Sequence, residues 1–392
     1  MNFALLRFNR DGSLDSTFNG DGSVITSLVA GDDEALSLGL LADGRIIAGG
    51  YSHNGTDRDF ALVCYRSNGT LDQNFGVEGA VLTSIGNGNE EITALTVSSN
   101  DRITVVGATE GTVGRVLVAA RYFADGTLDG SFGEQGISLI AIGGDANGEG
   151  IVERADGSLV LSGSYEDKQR SSAILVGLRA DGLVETGFGD QGIVVATGPS
   201  VVSEGYKVSE DQEGVLYLAG SVGRPGNRDA ALFRFTQEGK PDPTFGVQGA
   251  IVSAISAEDD VLYDVSIGKS GVAASGFTTD NGTRQFLLTS YLPDGTVTAS
   301  SAGVAGVGQD TGPSEMVPIQ EVRVNGRTRV QIREMQLWNS EVRIRQLQFS
   351  DTSLTSPTTR LIQPPLGRER HRWMGRLVEQ AGRRIGSWVV PS

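Results

Sequence analysis

The sequence predicts an all-β protein, a β-propeller of four-stranded antiparallel blades with six or seven blades. Three observations lead to this fold class. A motif recurs every 56 or 57 residues, apolar and polar residues alternate with period two inside each copy, and 55 of the 392 residues are glycine. That glycine content is about twice the usual ~7% and lacks the three-residue period of collagen.

Two markers define the repeat. The first is a phenylalanine that follows an acid-Gly or Gly turn, at Phe18, Phe75, Phe132, Phe188 and Phe245. The second is a glycine that ends an apolar segment, at Gly50, Gly107, Gly163, Gly220 and Gly276. Both markers keep the same period, so the five copies belong to one repeating structure rather than to separate domains.

Each copy contains four short strands. In the first copy they are predicted at 3–8, 22–26, 35–41 and 45–49, with turns at Asp11-Gly12 and Asp43-Gly44. Short turns make successive strands antiparallel neighbours. If a blade runs from the first turn through the next opening strand, residues 10–349 hold six blades. The strand at 3–8 then either closes the ring or belongs to a seventh blade upstream.

Two features of the copies predict backbone geometry. The glycine at the end of each fourth strand indicates a place where neighbouring backbones come close together. The segment around each phenylalanine is predicted to be a compact loop, in which Asn19 replaces a glycine found in the other copies. Asn tolerates the left-handed region better than most residues, so this position is expected to have positive φ. A parallel β-helix would repeat in shorter coils, and a β-sandwich would not need near-identical copies.

The repeats become weaker after residue 300. Asp294-Gly295 continues the turn marker, Asn325-Gly326-Arg327 corresponds to Asp43-Gly44-Arg45, and Val342–Phe349 is similar to an opening strand. We therefore assign 1–349 to the propeller, with clear copies over 1–300 and a degenerate copy over 300–349. Residues 350–392 form an Arg-rich C-terminal tail.

The first repeat resembles a known family. The string FALLRFNRDGSLDSTFNGDG, followed by ALSLGLLADGRIIAGGYS, is similar to the delta-60 repeat family, a bacterial propeller-type repeat of unassigned function. The resemblance implies a secreted or surface-exposed bacterial protein and carries no catalytic or ligand residues with it. No signal peptide is recognisable after Met1, which suggests an incomplete start.

Charge divides the chain into two parts. The whole chain carries a net charge of −16, but residues 313–392 contain 13 Arg, no Lys and only seven acidic residues, leaving −22 for residues 1–312. An acidic body of that size repels phosphate backbones and argues against nucleic acid as a partner. No apolar run is long enough for a transmembrane helix.

The tail allows three interpretations. Trp373 and Trp388 fall on one face of a candidate amphipathic helix that would contact a membrane surface or an acidic partner. Glycines inside the helix weaken it, so a disordered tail is the first expectation. An out-of-frame reading of the gene, suggested by Arg without Lys, is the third.

Acidic residues recur in the loop between the second and third strands of the copies. If every blade presents this loop on one face, they form an acidic binding face there for a cation or a basic partner. The alternative is a solvated loop that caps a strand. The residues concerned are Asp32, Asp33, Glu90, Glu91, Glu204, Asp259 and Asp260.

Other sites have little support. The series Asn9, Asp11, Ser13, Asp15 imitates part of a calcium loop, but Arg or Phe replaces Asn9 in other copies, so turn chemistry explains it better than calcium. The repeats contain one histidine, His53, and one cysteine, Cys64. A single residue of each type argues against a nucleophilic catalytic site and against a Cys-based zinc site. We predict no cofactor and no metal, with calcium as the alternative.

The predicted function is non-enzymatic. We expect a recognition or structural propeller, monomeric and extracellular or on the cell surface, which binds a protein or glycan through one face. The alternative is a polysaccharide hydrolase or lyase that uses loop carboxylates. A catalytic pair should break the symmetry of the repeats, and no pair stands out in the sequence.

Overall fold

The computed structural model describes residues 2–29, 31–86, 88–111, 114–167, 170–196, 202–268, 271–292, 294–304, 322–324, 328–338 and 341–351. Every helix or strand in these ranges is a β-strand, and all strand pairs are antiparallel. The short segments β1 (Phe3–Leu6) and β2 (Ser23–Thr26) pair with each other as a two-stranded sheet.

Five four-stranded sheets follow, and we call them blades 1 to 5. Blade 1 contains β3 (Asp33–Leu40), β4 (Ile46–His53), β5 (Arg58–Tyr65) and β6 (Ala80–Thr83). Blade 2 contains β7 (Glu91–Val97), β8 (Ile103–Gly111), β9 (Gly114–Tyr122) and β10 (Ile137–Ile140). Blade 3 contains β11 (Asp145–Glu153), β12 (Leu159–Asp167), β13 (Arg170–Leu178) and β14 (Ile193–Ala196).

Blade 4 contains β15 (Ser203–Glu210), β16 (Leu216–Arg224), β17 (Asn227–Phe235) and β18 (Ala250–Ser253). Blade 5 contains β19 (Asp260–Gly268), β20 (Gly271–Asp280), β21 (Thr283–Tyr291) and β22 (Val297–Val304). A three-stranded sheet follows, with β23 (Val322–Val324), β24 (Thr328–Trp338) and β25 (Glu341–Asp351).

The first strands of successive blades contact one another, so β3, β7, β11, β15 and β19 are the innermost strands around a common axis. The order within each blade follows the chain from the inside outward. This radial arrangement confirms the prediction of an all-β propeller with four-stranded antiparallel blades.

The core lies between neighbouring blades. One cluster joins blades 1 and 2 through Phe60, Leu62, Ile92 and Val105, and equivalent clusters follow at each later junction. The five repeat phenylalanines are buried, each filling the junction to the next blade. Neighbouring blades cover both faces of the second and third strands. These strands therefore have apolar residues at consecutive positions instead of an alternation of apolar and polar residues.

The blade boundary predicted from the sequence is wrong. The strand at 22–26 pairs with the strand at 3–6, not with the strand that follows it. Each blade therefore combines the last two strands of one copy with the first two of the next. The segment Phe3–Leu6 is not left over, because β1 and β2 correspond to the third and fourth strands of a blade.

The predicted backbone geometry is confirmed. Asn19 has φ 51°, and the glycines at its position in the other copies have φ between 54° and 57°. A Cβ atom on any of the five marker glycines would lie 1.8–2.1 Å from a carbonyl oxygen of the first strand. The close approach is within a blade, since Gly50 meets the carbonyl of Glu34, and not between neighbouring blades as the crowding argument assumed.

The C-terminal predictions are reached only in part. Val342–Phe349 lies inside β25. Asn325-Gly326-Arg327 and the residues after Asp351, with Trp373 and Trp388, lie outside the described residues. Among the described residues, no helix is long and apolar enough to cross a membrane.

Candidate functional site

Three of the seven acidic residues predicted to form a binding face are buried: Asp33, Glu90 and Asp260. Each stands at the start of an innermost strand and holds the loop that precedes it. The Asp260 carboxylate accepts hydrogen bonds from the backbone N–H groups of Ile255 (2.7 Å) and Ser256 (2.9 Å), and from the Thr278 hydroxyl. These side chains are occupied with folding and are closed to a ligand, so they do not belong to a binding face.

The other two clamps have the same design. Asp33 accepts hydrogen bonds from the Leu28 N–H (2.8 Å) and the Ser52 hydroxyl (2.6 Å). Glu90 accepts them from the N–H groups of Ile85 and Gly86 and from the Thr109 hydroxyl. Blade 4 has Ser203 at this position, and its hydroxyl donates to the carbonyl of Ala196 at 2.6 Å.

The remaining four acidic residues lie nearer to solvent, and three of them pair with arginines. The Arg228 guanidinium donates to Glu204 at 2.8 Å and to Asp259 at 3.0 Å. Glu91 lies 3.3 Å from Arg58 and 3.8 Å from Arg115. Asp32 is exposed on the same face. The predicted acidic face is therefore a mixed surface of carboxylates and guanidiniums.

A β-bulge interrupts every innermost strand at the same place. Pairing with the second strand shifts register between Ala35 and Ser37 in blade 1, and at the equivalent position in blades 2 to 5. A bulge releases one residue from the ladder and redirects its side chain. Each bulge lies beside the marker glycine of the second strand. A Cβ atom at that position would collide with a carbonyl oxygen of the first strand, so the position needs glycine.

The bulge residues differ from blade to blade although their backbone position is the same. They are Leu36, Thr93, Glu149, Tyr206 and Tyr263 in blades 1 to 5. The residues directly before and after the bulge vary from blade to blade as well, and the marker glycine on the second strand is what repeats. The bulge residues lie at the end of the central channel where the blades present Glu91, Glu204 and Asp259. We call this end the channel mouth.

Glu149 is the central group of the channel mouth. Burial, together with the charges of Glu91 and Glu204, raises the pKa of its carboxyl to about 7, with only Arg115 acting in the opposite direction. Within the part of the chain that the structure describes, its carboxylate makes no hydrogen bond. A carboxyl group that is half protonated near neutral pH and not bound elsewhere is available to a ligand.

Two tyrosines provide an apolar wall next to Glu149. The rings of Tyr206 and Tyr263 meet edge to face with centroids 4.7 Å apart, and Tyr263 also packs against Phe277 at 5.6 Å. The Tyr206 hydroxyl donates to Glu204 at 2.8 Å. Burial is the main cause that raises the pKa of both phenols, so they stay protonated as hydrogen-bond donors. Tyr263 is 45% exposed, which leaves part of its ring open.

Arginines enter the mouth from the third strands. Arg58, Arg115, Arg228 and Arg284 occupy one structural position in four blades, whereas blade 3, which carries Glu149, has Ser171 there. The Nε atoms of Arg115 and Arg228 are buried and have no partner among the described residues. Arg284 lies over the Phe277 ring at 4.3 Å.

The arrangement suits a ligand rich in hydroxyl groups. Carboxylates and guanidiniums form paired hydrogen bonds with neighbouring hydroxyls, and tyrosine rings pack against the C–H faces of a ring. Five carboxyl groups (Asp32, Glu91, Glu149, Glu204 and Asp259) face four arginines, so the mouth has little net charge of its own. A neutral or weakly charged polar molecule fits such a balance better than a polyion does.

The sequence did not identify this site, because Glu149, Tyr206 and Tyr263 are on the strand, two or three residues beyond the aligned acidic loop. The alignment carries no signal for it: the position holds Leu, Thr, Glu, Tyr and Tyr, but the positions directly before and after it vary just as much.

The other candidate residues have structural roles. Asp11 and Asp15 accept hydrogen bonds from Ser13 and Thr17 two residues further on, as turn residues do. Cys64 is buried, and burial raises the pKa of its thiol to about 11, which makes it unreactive. In the described ranges, no group of three or more His, Cys, Asp or Glu could hold a metal ion.

Comparisons with known proteins found several similar structures and one family model. No curated protein matches the chain. The chain is similar in structure to a protein from Lactobacillus plantarum (11% identity, TM-score 0.46, 93% of this chain and 96% of that one). It is also similar to a thermostable family-43 glycoside hydrolase (13%, 0.37, 71% and 94%) and to a PL25 ulvan lyase (8%, 0.43, 85% and 79%).

Identities of 8–13% are too low to carry any activity across. In sequence, residues 2–18 and 41–75 match the model of a domain of unknown function (DUF5122) described as a beta-propeller. The matched segments cover β1 and, in blade 1, β4 and β5. They support a propeller-type repeat family of unknown function.

Proposed function

We propose that this protein is a recognition propeller that binds a glycan at the channel mouth. The observation that carries the proposal is Glu149, a carboxyl released from the ladder by a bulge, without a hydrogen bond among the described residues and close to Tyr263. Carboxylates, arginines and a half-exposed tyrosine ring meet at this place.

A glycan is preferred over a peptide or a nucleic acid for chemical reasons. A peptide that binds as an added strand would need an open sheet edge. The free edges of the innermost strands of blades 1 to 5 face the channel axis, where they are not open to a peptide strand from outside. A nucleic acid would need excess positive charge, which residues 1–312 lack. A glycan needs paired polar groups and an aromatic face, and the mouth has both. The extracellular location implied by the repeat resemblance is consistent with such a ligand.

The direct test is a glycan array probed with the whole protein. We expect signals on a limited set of neutral or acidic oligosaccharides, and we expect Tyr263→Ala to lower the affinity at least tenfold because it removes the open ring of the wall. Val77→Ala is the matched control, since Val77 is exposed on a loop outside the channel mouth. Absence of any binding, or equal loss in the two variants, would contradict the proposal.

A second function is favoured by Glu149 alone. A carboxyl with a pKa of about 7 beside two other carboxylates has the protonation that a general acid needs. Cleavage of the bound oligosaccharide should then yield new reducing ends in a hydrolase, or an unsaturated sugar in a lyase. If turnover is found and Glu149→Gln abolishes it while binding persists, the protein is an enzyme. Binding without turnover leaves the recognition function.

A further inference from the structure

The first copy exposes apolar side chains that are buried in every other copy. Leu6 is 59% exposed and Phe8 47% exposed. At the position of Leu6, the later copies have Val63, Ala120, Val176 and Phe233, all at most 2% exposed. At the position of Phe8 they have Tyr65, Tyr122, Leu178, Phe235 and Tyr291, again at most 2%. This face of β1 is built to be covered by a preceding blade.

The same contrast occurs on the innermost strand of blade 1. Leu38 is 59% exposed, whereas its equivalents Leu95, Ile151, Val208 and Val265 are at most 8% exposed because they pack against the blade before them. Leu40, two residues further along β3, is exposed as well. Within the described residues, no first and second strand of the blade that contains β1 and β2 lie beside β3.

Blade 5 shows the matching face at the other side of the gap. Phe286 on β21 is 43% exposed, and its equivalents Phe60, Leu117, Ala173 and Ala230 are at most 1% exposed. These residues point toward the following blade. The ring of blades 1 to 5 is thus open between blade 5 and β1, with apolar side chains on both sides of the opening.

One element would cover all of these positions. β1 and β2 correspond to the third and fourth strands of a blade, and in the described sheets β1 has only β2 as a partner. What is missing is a first and a second strand. They would pair with the free edge of β1, cover Leu38 and Leu40, and bring β1 against Phe286.

The chain contains such a pair. β23 and β24 are joined by three residues, Asn325-Gly326-Arg327, which correspond in sequence to the Asp43-Gly44-Arg45 turn between the first and second strands of blade 1. β23 and β24 pair over three residues, Val322–Val324 with Thr328–Val330. Ile332 stands in β24 where the second strands of blades 1 to 5 have the marker glycine.

We propose that β23 and β24 close the ring by pairing with β1. The closed protein is a six-bladed propeller whose sixth blade has the order β23-β24-β1-β2, with strands from the two ends of the chain. β1 then occupies the edge of β24 that β25 occupies in the structure. Closure removes the open strand edge and buries the apolar faces on both sides of the gap.

Engineered cysteines distinguish the two pairings of β24. In blade 1, Gly50 on the second strand pairs with Ala61 on the third. Ile332 corresponds to Gly50 and Ala4 to Ala61, so closure places Ile332 opposite Ala4. In the pairing of β24 with β25, Ile332 lies opposite Leu347 instead. We expect Ala4→Cys with Ile332→Cys to form a disulfide within one chain on mild oxidation, and Ile332→Cys with Leu347→Cys to remain reduced. A disulfide requires Cα atoms within about 7 Å, so each pair reports one arrangement. Cys64 is buried and does not compete.

The reverse pattern would overturn the proposal, because β25 would then hold β24 away from β1. A disulfide between two chains would also overturn it and would assign the gap to a second copy. If neither pair forms, the gap is covered by something other than β24.

A second measurement does not depend on disulfides. Leu38 and Leu139 are both 59% exposed, but only Leu38 faces the gap. Closure predicts that Leu38→Asp lowers the Tm by about 3 °C or more, while Leu139→Asp leaves it nearly unchanged. Equal and small effects would mean that the gap stays open to water, and the proposal would fail.

Discussion

Glu149 combines three properties at the scale of a single residue. It occupies a bulge, its carboxylate lies near charges from blades 2 and 4, and it has no hydrogen bond among the described residues. A structural carboxylate in this protein looks different: Asp33, Glu90 and Asp260 are fully buried and each accepts several hydrogen bonds. The contrast separates a group kept for a ligand from groups kept for the fold.

Glu149 makes the stability of the protein depend on pH. Its pKa is raised on folding, so the folded state favours the protonated form, and stability falls as pH rises from about 4.5 to about 7. We therefore expect Glu149→Gln to raise the free energy of unfolding at pH 8 by about 2 kcal/mol and to have almost no effect at pH 4.5. Urea unfolding at the two pH values measures this difference.

Glu134→Gln is the control for that experiment, because Glu134 is exposed and its side chain makes no contact that depends on charge in the described residues. The control should change stability by the same small amount at both pH values. If Glu149→Gln behaves in the same way, the carboxyl is not desolvated in the folded protein.

The clamp at Asp260 should be important for stability. Asp260→Ala leaves the N–H groups of Ile255 and Ser256 without their acceptor, and we expect a loss of about 2–3 kcal/mol in the free energy of unfolding. Asp260→Asn should cost less, since the amide oxygen of Asn keeps an acceptor for these N–H groups. Thermal unfolding of both variants checks the order. A loss below about 0.5 kcal/mol for the Ala variant would show that the loop does not need the clamp.

The sequence could not assign roles within each pair of adjacent acidic residues. At the start of a strand, neighbouring side chains point in opposite directions. Asp33 therefore enters the core while Glu34 accepts a hydrogen bond from the Tyr51 hydroxyl. The alignment showed that acids recur at this loop, but a one-residue difference decides between core and channel, and that difference depends on the strand register.

At the scale of the element, the bulge links the fold to the site. Side chains along a strand alternate between the two faces of the sheet, and a bulge reverses this alternation for the residues beyond it. The innermost strand can therefore have a buried face and also direct one side chain into the channel. The sequence predicted the close contact at the marker glycine without its cause. Alternation alone cannot locate a bulge, because one added residue looks like a local exception to the pattern.

Gly163→Ala tests this link in blade 3. A Cβ atom at this position would lie 1.9 Å from the carbonyl oxygen of Asn147, so the bulge must rearrange and move Glu149. We expect a loss of at least 2–3 kcal/mol in stability together with weaker ligand binding. Gly130→Ala is the matched control, since its added Cβ would contact nothing within 4 Å. Equal stability of the two variants would show that the bulge does not depend on the glycine.

At the scale of the whole molecule, the repeat predicted the propeller correctly and its blade boundaries wrongly. Two markers with one period require near-identical units, and short turns require antiparallel order. Neither says where one sheet ends, because successive strands are antiparallel neighbours whether or not they share a blade. The boundary depends on which loop crosses between blades, and here it is the acidic loop that Asp33, Glu90 and Asp260 hold in place.

Net charge also acquires a structural meaning at this scale. The acidic body of residues 1–312 contains many arginines that are paired across repeats, such as Arg45 with Asp72 and Arg154 with Glu210. At the channel mouth the same pairing brings carboxylates and guanidiniums into balance. A mouth that is locally balanced inside an acidic protein favours ligands that bind through hydrogen bonds rather than through charge.

The most direct test of the central claim is a binding titration with the oligosaccharide that gives the strongest array signal, at pH 6 and at pH 8. If the channel mouth is the site, the affinity of the unmodified protein changes by about tenfold between the two pH values, because Glu149 changes its protonation there. Glu149→Gln should remove this change, and Glu134→Gln, at an exposed loop position, should keep it. Identical pH dependence in Glu149→Gln and the unmodified protein would contradict the account.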